Sequence, residues 1–263
     1  MTNIFKNIYR IFFNPFFLIS PIKSFKKLIY NLEKDLEYNK KLLVNLGFDN
    51  KKIKLQLKDY NLDYYNYHIS WHYHLFLGLS QKLSKIKILE IGTHGGEFTS
   101  FLSKIFSDSH IVTIDLPEND ERFNTNNTSG NTLSLEKFLK KRKINLNREN
   151  IKFLEIDSVN LLDHFSKNSF DLIWVDGDHL NPQVTIDIKN SMMLLNKDGI
   201  MLCDDVIKND LLKSDFLSFV SSDSFKNLEL LEKSRTLSSE YLIKRMTRNN
   251  SLTKKFISIS KLI

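Results

Sequence analysis

A short apolar run that ends in a glycine-rich turn, IKILEIGTHGGE at residues 86–97, constrains the fold of this 263-residue chain more than any other segment. An apolar run followed by Gly92, Gly95 and Gly96 is typical of a buried parallel strand that turns sharply into a helix. Glycine adopts positive φ at little cost, and because it has no Cβ a ligand can lie against its backbone. In α/β sheets this turn is where nucleotide-like ligands bind.

Two kinds of cofactor loop compete for this turn. A dinucleotide loop has the pattern G-x-G-x-x-G, but His94 occupies the position of its second glycine, which disfavours a nicotinamide oxidoreductase. The spacing Glu-x-Gly-x-x-x-Gly, from Glu90 through Gly92 to Gly96, instead resembles the first motif of class I S-adenosylmethionine-dependent methyltransferases. The resemblance implies that Glu90 lies near the amino-acid end of S-adenosylmethionine and that both glycines pack under the cofactor.

The rest of the chain supplies further strands in the order that such a fold requires. We expect an α/β, Rossmann-like class I methyltransferase fold: a seven-stranded, mostly parallel sheet with a closing antiparallel hairpin. Asp115 ends the second strand, where its carboxylate can accept both ribose hydroxyls, and the resemblance places Asp157 and Ser158 around the adenine. Helix capping is the alternative for each strand-end acid. The predicted strands after the first are 111–115, 151–156, 170–175, 199–203, 228–231 and 240–243.

Acidic residues follow the fourth and fifth predicted strands. Asp176 begins the sequence DGDH, which ends at His179, and Asp204 and Asp205 follow the fifth strand. The helical pattern of residues 181–196 makes the unit a right-handed crossover, so the two strands are expected to be parallel and adjacent. Three carboxylates at one rim raise one another's pKa unless a cation neutralises them, and oxygen ligands suit magnesium. The alternative is a solvated acidic rim with helix-capping aspartates.

Residues 170–206 resemble the metal-dependent sugar O-methyltransferases of macrolide tailoring, the macrocin and mycinamicin type, and their D-G-x-H relatives. The resemblance implies that Asp176, Asp204 and Asp205 bind Mg²⁺, that His179 is the general base, and that the acceptor is a sugar or glycoside hydroxyl. Many relatives have His-Asp instead of the acidic pair, so Asp204 is the position that argues for metal. A metal-free O- or N-methyltransferase and a catalytically silent cofactor-binding or membrane-peripheral protein are the alternatives.

The flanking segments suggest three parts: a helical extension and aromatic-rich cap at 1–83, the cofactor domain at 84–245, and a basic tail at 246–263. Apolar residues at helical spacing near the N-terminus indicate a face packed on the domain or on a second subunit, as in a homo-oligomer. The apolar segment 8–22 is too short and interrupted to span a membrane, which leaves peripheral contact open. The histidines of 60–77 do not favour zinc, because the chain has a single cysteine.

Charge and cysteine content limit the possible partners. The net charge of +7 suits an anionic partner, but the charge is dispersed and no RNA-binding module is recognisable, so we expect no nucleic acid. One cysteine, Cys203, and the absence of an export signal favour a reducing cytoplasm.

Overall fold

The computed structural model describes residues 37–62, 71–123, 132–207, 225–233 and 255–262. The chain divides into two compact units, Met1–Leu75 with Glu232–Lys254 and Phe76–Leu231 with Lys255–Ile263. Within the described residues no helix has both the length and the apolar character needed to cross a membrane.

The described part of the first unit is helical. Residues 37–45 are helical, and α1 (Asn50–Asp59) follows. Asp49 caps α1 by accepting hydrogen bonds from the backbone N–H groups of Lys51 and Lys52, and Ile53 and Leu57, one turn apart, are fully buried. The predicted N-terminal extension falls largely on residues 1–36 and 63–70, outside the described residues.

The second unit is built on one sheet with the strand order β3-β2-β1-β4-β5-β7-β6. The strands are β1 (Lys87–Ile91), β2 (His110–Asp115), β3 (Ile151–Glu155), β4 (Phe170–Val175), β5 (Leu195–Ile207), β6 (Phe225–Lys233) and β7 (Lys255–Leu262). The helices are α2 (His72–Ser80), which begins in the first unit, α3 (Glu97–Ile105), α4 (Thr132–Leu146), α5 (Leu161–His164) and α6 (Gln183–Leu194).

Strands β1 to β5 are parallel and carry apolar residues on both faces. Leu89 in β1 is paired with Val112 in β2 on one side and with Ile173 in β4 on the other. Leu89 and Ile173 have no exposed surface, and neither has Met201 in β5. A strand covered by helices on both faces has to be apolar along its length, and therefore these strands were predictable as continuous apolar runs. The expected mostly parallel sheet with an antiparallel end is confirmed.

The antiparallel end of the sheet differs from the expectation. Residues 228–231 do lie in a strand, β6, but the second predicted strand, 240–243, lies outside the described residues. Strand β7, at Lys255–Leu262, instead pairs antiparallel with β5, with Ile259 opposite Leu202. The prediction of a basic tail is therefore wrong for these residues. The lysines of this segment suggested a basic tail, whereas the position of β7 between β5 and β6 buries Phe256 and Ile257.

Helix α6 connects β4 to β5 within the predicted range 181–196. Val184 and Ile188 are buried against the core, as the helical pattern predicts, and Leu194 is buried with them. The buried side also contains polar residues, among them Asp187 with no exposed surface. A carboxylate at such a position needs hydrogen-bond partners, and these lie at the cavity described next.

Candidate cofactor and active site

A cavity of about 720 Å³ opens at the carboxyl ends of the parallel strands. This edge of an α/β sheet is where ligands bind, and the volume is in the range of small-molecule sites. Every strand from β1 to β4 contributes residues that directly follow it, and α6 contributes one wall. The residues that matter below are Gly92, His94, Asp115, Arg122, Asp157, Ser158, Asp176, His179, Gln183 and Asp187.

Gly92 allows the loops after β1 and β4 to touch. Its φ is +101°, and a Cβ at this position would lie 2.7 Å from the carbonyl carbon of Asp176 and 2.9 Å from the nitrogen of Gly177. Gly96, with φ +73°, immediately precedes α3, and a Cβ there would lie 3.0 Å from the Leu146 side chain. The glycines of this turn are therefore required in part by close packing against other residues of the protein, in addition to any space that they leave for a cofactor.

Asp115 lies on the cavity wall at the end of β2. The backbone N–H of His94 donates to its Oδ2 at 2.7 Å, and that of Leu116 donates to Oδ1 at 2.8 Å. Burial raises the pKa of Asp115, although these two bonds and Arg142 oppose the shift. Each carboxylate oxygen can accept more than one hydrogen bond, so Asp115 retains the capacity to accept from ligand hydroxyls.

Glu90 is in a different environment from the other predicted cofactor residues. It is 1% exposed, and its Oε2 accepts hydrogen bonds from the hydroxyls of Thr99 on α3, at 2.5 Å, and Thr113 on β2, at 2.6 Å. Burial raises the pKa of Glu90 to about 7. The carboxyl thus faces α3 and β2 and does not line the cavity. Its role at the amino-acid end of the cofactor stays a prediction.

The polar pair after β3 combines structural contacts with a place on the cavity wall. Asp157 accepts from the backbone N–H of Val159, as a helix cap, and from the guanidinium of Arg122, which also binds Asp120. The side-chain oxygen of Ser158 accepts from the Gln183 amide at 2.7 Å. The capping alternative is therefore correct for Asp157.

The DGDH turn and the end of β5 bring His179 between two carboxylates. Its Nε2 lies 3.8 Å from Oδ1 of Asp176 and 3.7 Å from Oδ2 of Asp205. The parallel pairing of β4 with β5, with Val175 opposite Cys203, produces this proximity as the crossover predicts. Two nearby carboxylates stabilise positive charge on an imidazole, which favours proton acceptance.

The three predicted magnesium ligands do not form a metal site in this structure. Among the residues that the structure describes, no group of three or more His, Cys, Asp or Glu side chains is arranged to hold a metal ion. Strand β5 continues to Ile207, but its pairing with β7 shifts register between Cys203 and Val206, and Asp205 has a φ of +54°, so Asp204 and Asp205 lie in an irregular part of the strand. The arrangement of the three side chains does not fit magnesium.

Residues 89–206 match the family model described as Methyltransferase domain. Over this segment, which is less than half of the chain, the protein is similar to methyltransferase domains. The match begins inside β1 and ends just after Asp205, so it includes the glycine turn and both acid-bearing strand ends. A comparison with curated proteins finds no match.

Several solved structures are similar to this chain. Cofactor-bound Rv0187 from MTB is 13% identical, with 72% of this chain and 78% of that chain covered and a TM-score of 0.48. An rRNA methylase from Streptococcus thermophilus is 16% identical, with coverages of 72% and 93% and a TM-score of 0.46. The O-methyltransferase from Bacillus cereus in complex with SAH is 17% identical, with coverages of 88% and 91% and a TM-score of 0.45. Similarity at this level does not identify the acceptor.

Among the cavity residues that were not predicted from the sequence are Arg122, Gln183 and Asp187. They lie on helical segments beyond the strand ends, and therefore no strand-end pattern marked them. Asp187 could have been found from its position in the sequence, because it lies next to Ile188 on the helix face that the apolar residues of α6 form. A carboxylate on that face is expected to be buried.

Proposed function

We propose that this methyltransferase transfers the methyl group of S-adenosylmethionine to a hydroxyl of a sugar or glycoside, with His179 as the general base. The observation that carries the proposal is the position of His179 on the wall of the cavity that Asp115, Asp157 and Ser158 also line. The resemblance of residues 170–206 to sugar O-methyltransferases supports the choice of acceptor.

The reaction is an in-line displacement at the methyl carbon. The C–O bond forms as the C–S bond breaks, and the sulfonium becomes the neutral thioether of S-adenosylhomocysteine. The protein has to align the acceptor oxygen with the methyl carbon and accept the hydroxyl proton as the bond forms. In the proposal Nε2 of His179 takes this proton, and Asp176 and Asp205 stabilise the resulting imidazolium from 3.8 and 3.7 Å.

The residues that we assign to the cofactor bind it through hydrogen bonds. We assign the ribose hydroxyls to Asp115, whose oxygens each retain a free acceptor position, and the adenine to Ser158 and the backbone beside Asp157. Gly92 and Gly96 would keep the loop backbone close to the cofactor. The cavity wall includes several carboxylates, which suits a ligand whose sulfonium and ammonium groups are both cationic.

The test combines cofactor binding with a histidine substitution. Calorimetry on the full chain should detect S-adenosylmethionine binding, and methyl transfer is then measured with a panel of simple glycosides. His179→Ala should lower kcat by about 10²- to 10⁴-fold and leave cofactor affinity within about twofold, because the ring acts on the acceptor proton. His164→Ala, an exposed histidine outside the cavity, is the matched control and should retain full activity.

Three results would each contradict a different part of the proposal. Failure to bind S-adenosylmethionine at millimolar concentration would rule out methyl transfer at this cavity. Normal turnover in His179→Ala would leave the methyltransferase intact and remove the general base. Transfer to amines instead of hydroxyls would favour the N-methyltransferase alternative, to which the acidic rim is also suited.

The remaining predictions concern metal and partners. A magnesium requirement is tested by dialysis against a chelator, and unchanged turnover afterwards would exclude it.

We further propose, from the sequence alone, a cytoplasmic protein that forms homo-oligomers and contacts membranes peripherally through its N-terminal segment. Sedimentation of the purified chain alone tests homo-oligomer formation, and sedimentation with anionic vesicles tests membrane contact.

A further inference from the structure

A cluster of three polar residues lies at one end of the cavity, and the hydrogen bonds within it fix the orientation of one side-chain amide. It consists of Ser158, Gln183 and Asp187. The last two are four residues apart on α6 and therefore lie on the same helix face. Gln183 is partly exposed and lines the cavity, whereas Asp187 has no exposed surface.

Both hydrogens of the Gln183 amide are used within the protein. Nε2 of Gln183 donates to Oγ of Ser158 at 2.7 Å and to Oδ1 of Asp187 at 2.9 Å. An ionised carboxylate accepts hydrogen bonds but cannot donate one, so the nitrogen of the amide has to face Asp187. Burial raises the pKa of Asp187 to about 6, which still leaves it ionised at pH 8.

The position of Asp187 makes this orientation rigid. Its Oδ2 lies 3.3 Å from the point that a Cβ on Gly177 would occupy, so the carboxyl is held between α6 and the DGDH turn. Because Nε2 of Gln183 donates its two hydrogens to Ser158 and Asp187, Gln183 can offer a ligand only its carbonyl oxygen, Oε1, which is a hydrogen-bond acceptor.

We propose that Oε1 of Gln183 recognises an exocyclic amino group on the heterocycle of the bound cofactor, and that Asp187 is the positioning residue that fixes the amide orientation. This inference rests on the proposed function, in which the adenine lies beside Ser158. The 6-amino group of adenine donates hydrogen bonds, whereas hypoxanthine has a carbonyl oxygen at the same place. A carbonyl facing Oε1 leaves two acceptors opposed and unpaired, which disfavours binding.

The experiment compares two cofactor products that differ only along one edge of the heterocycle, where hypoxanthine has a carbonyl at C6 and an N–H at N1 in place of the amino group and the acceptor nitrogen of adenine. Calorimetry at pH 8 measures the Kd of S-adenosylhomocysteine and of S-inosylhomocysteine for the full chain. The unsubstituted protein should prefer the adenine compound by about tenfold or more. Gln183→Leu should reduce that preference to within about threefold. Asp187→Asn should reduce it as well, because an asparagine accepts either orientation of the Gln183 amide.

Met193→Leu is the control, since this residue lies on the same helix and does not line the cavity. It should retain the full preference. A preference unchanged in Gln183→Leu would overturn the proposal, and one unchanged in a folded Asp187→Asn would overturn the positioning role. If Asp187→Asn does not fold, Gln183→Leu alone decides, because it alters a partly exposed side chain. Failure of the unsubstituted protein to bind S-adenosylhomocysteine would contradict the proposed function instead.

Discussion

At the scale of single residues, Gly92 is needed for the contact between the loops after β1 and β4. We expect Gly92→Ala to lower the free energy of unfolding by about 3 kcal/mol or more, because φ is +101° and the added Cβ meets the backbone of Asp176 and Gly177. Backbone atoms at these distances cannot move away without shifting the strand end. Urea denaturation of the variant and the unsubstituted protein measures the difference.

Gly95→Ala is the matched control for Gly92→Ala. A Cβ at Gly95 would meet only the carboxyl end of Glu97, a flexible side chain that pairs with Lys141 at the surface. That side chain can rotate away, so we expect a change below about 1 kcal/mol. An equal decrease in the free energy of unfolding of the two variants would show that the contact between the loops at Gly92 is not the cause of the destabilisation.

Glu90 makes the stability of the domain depend on pH. Its pKa in the folded chain is raised from 4.5 to about 7, mainly by burial, so the folded state holds a proton that the unfolded state has lost. The stabilisation linked to this proton is complete below the unfolded pKa and is lost as pH rises through the folded pKa. At about 1.4 kcal/mol per unit, roughly 3 kcal/mol is lost between pH 4.5 and 7.

Glu90→Gln isolates this contribution, because glutamine can still accept from Thr99 and Thr113 but does not titrate. The difference in free energy of unfolding between the unsubstituted protein and the variant should shift with pH across this window, in favour of the variant as pH rises. Denaturation at four pH values between 4.5 and 7.5 measures it. A difference that is constant with pH would show that Glu90 has an ordinary pKa.

At the scale of elements, β7 is a structural strand in spite of its terminal position. Ile257 is fully buried, and we expect Ile257→Ala to cost about 2 to 4 kcal/mol of stability. Ile144→Ala, at a 67% exposed position on α4, should change stability by less than about 0.5 kcal/mol. Thermal unfolding of both variants compares them, and a negligible loss at Ile257 would indicate that β7 does not contribute to the core.

The elements differ in how far the sequence predicts them. Strands β1 to β5 contain apolar runs with acids at or near their ends, so the local pattern was enough to predict where they lie along the chain, and the handedness rule predicted that β4 and β5 are parallel and adjacent. Strand β7 was missed because its burial depends on pairing with β5, whose paired residues lie between 48 and 61 residues earlier, and no local pattern records such a pairing. The same limit applies to the site: strand-end acids were predictable, but Asp187 is a helix residue whose importance depends on tertiary contacts.

At the scale of the whole molecule, the two edges of the sheet differ in charge. The cavity at the carboxyl ends of the strands includes Asp115, Asp157, Asp176 and Asp178, with Arg122 among them. A depression of about 800 Å³ at the opposite edge includes the basic residues Lys85, Lys87, Lys104 and Arg148. A cofactor with a sulfonium and an ammonium group is attracted to the acidic edge and repelled from the basic one. Charge and strand direction thus favour the same edge.

Hydrogen exchange distinguishes these two edges directly. S-adenosylhomocysteine at about 100 times its Kd should stabilise the domain by about 2.7 kcal/mol, which slows exchange that requires global unfolding everywhere in it. In addition, amides at 92–95, 115–116, 156–158 and 176–179 should gain protection at short exchange times, because ligand contact suppresses their local opening. Amides at 107–110 and 147–150, at the opposite edge, should not change at short times. Early protection there would relocate the cofactor to the basic edge and contradict the assignment of the acidic cavity.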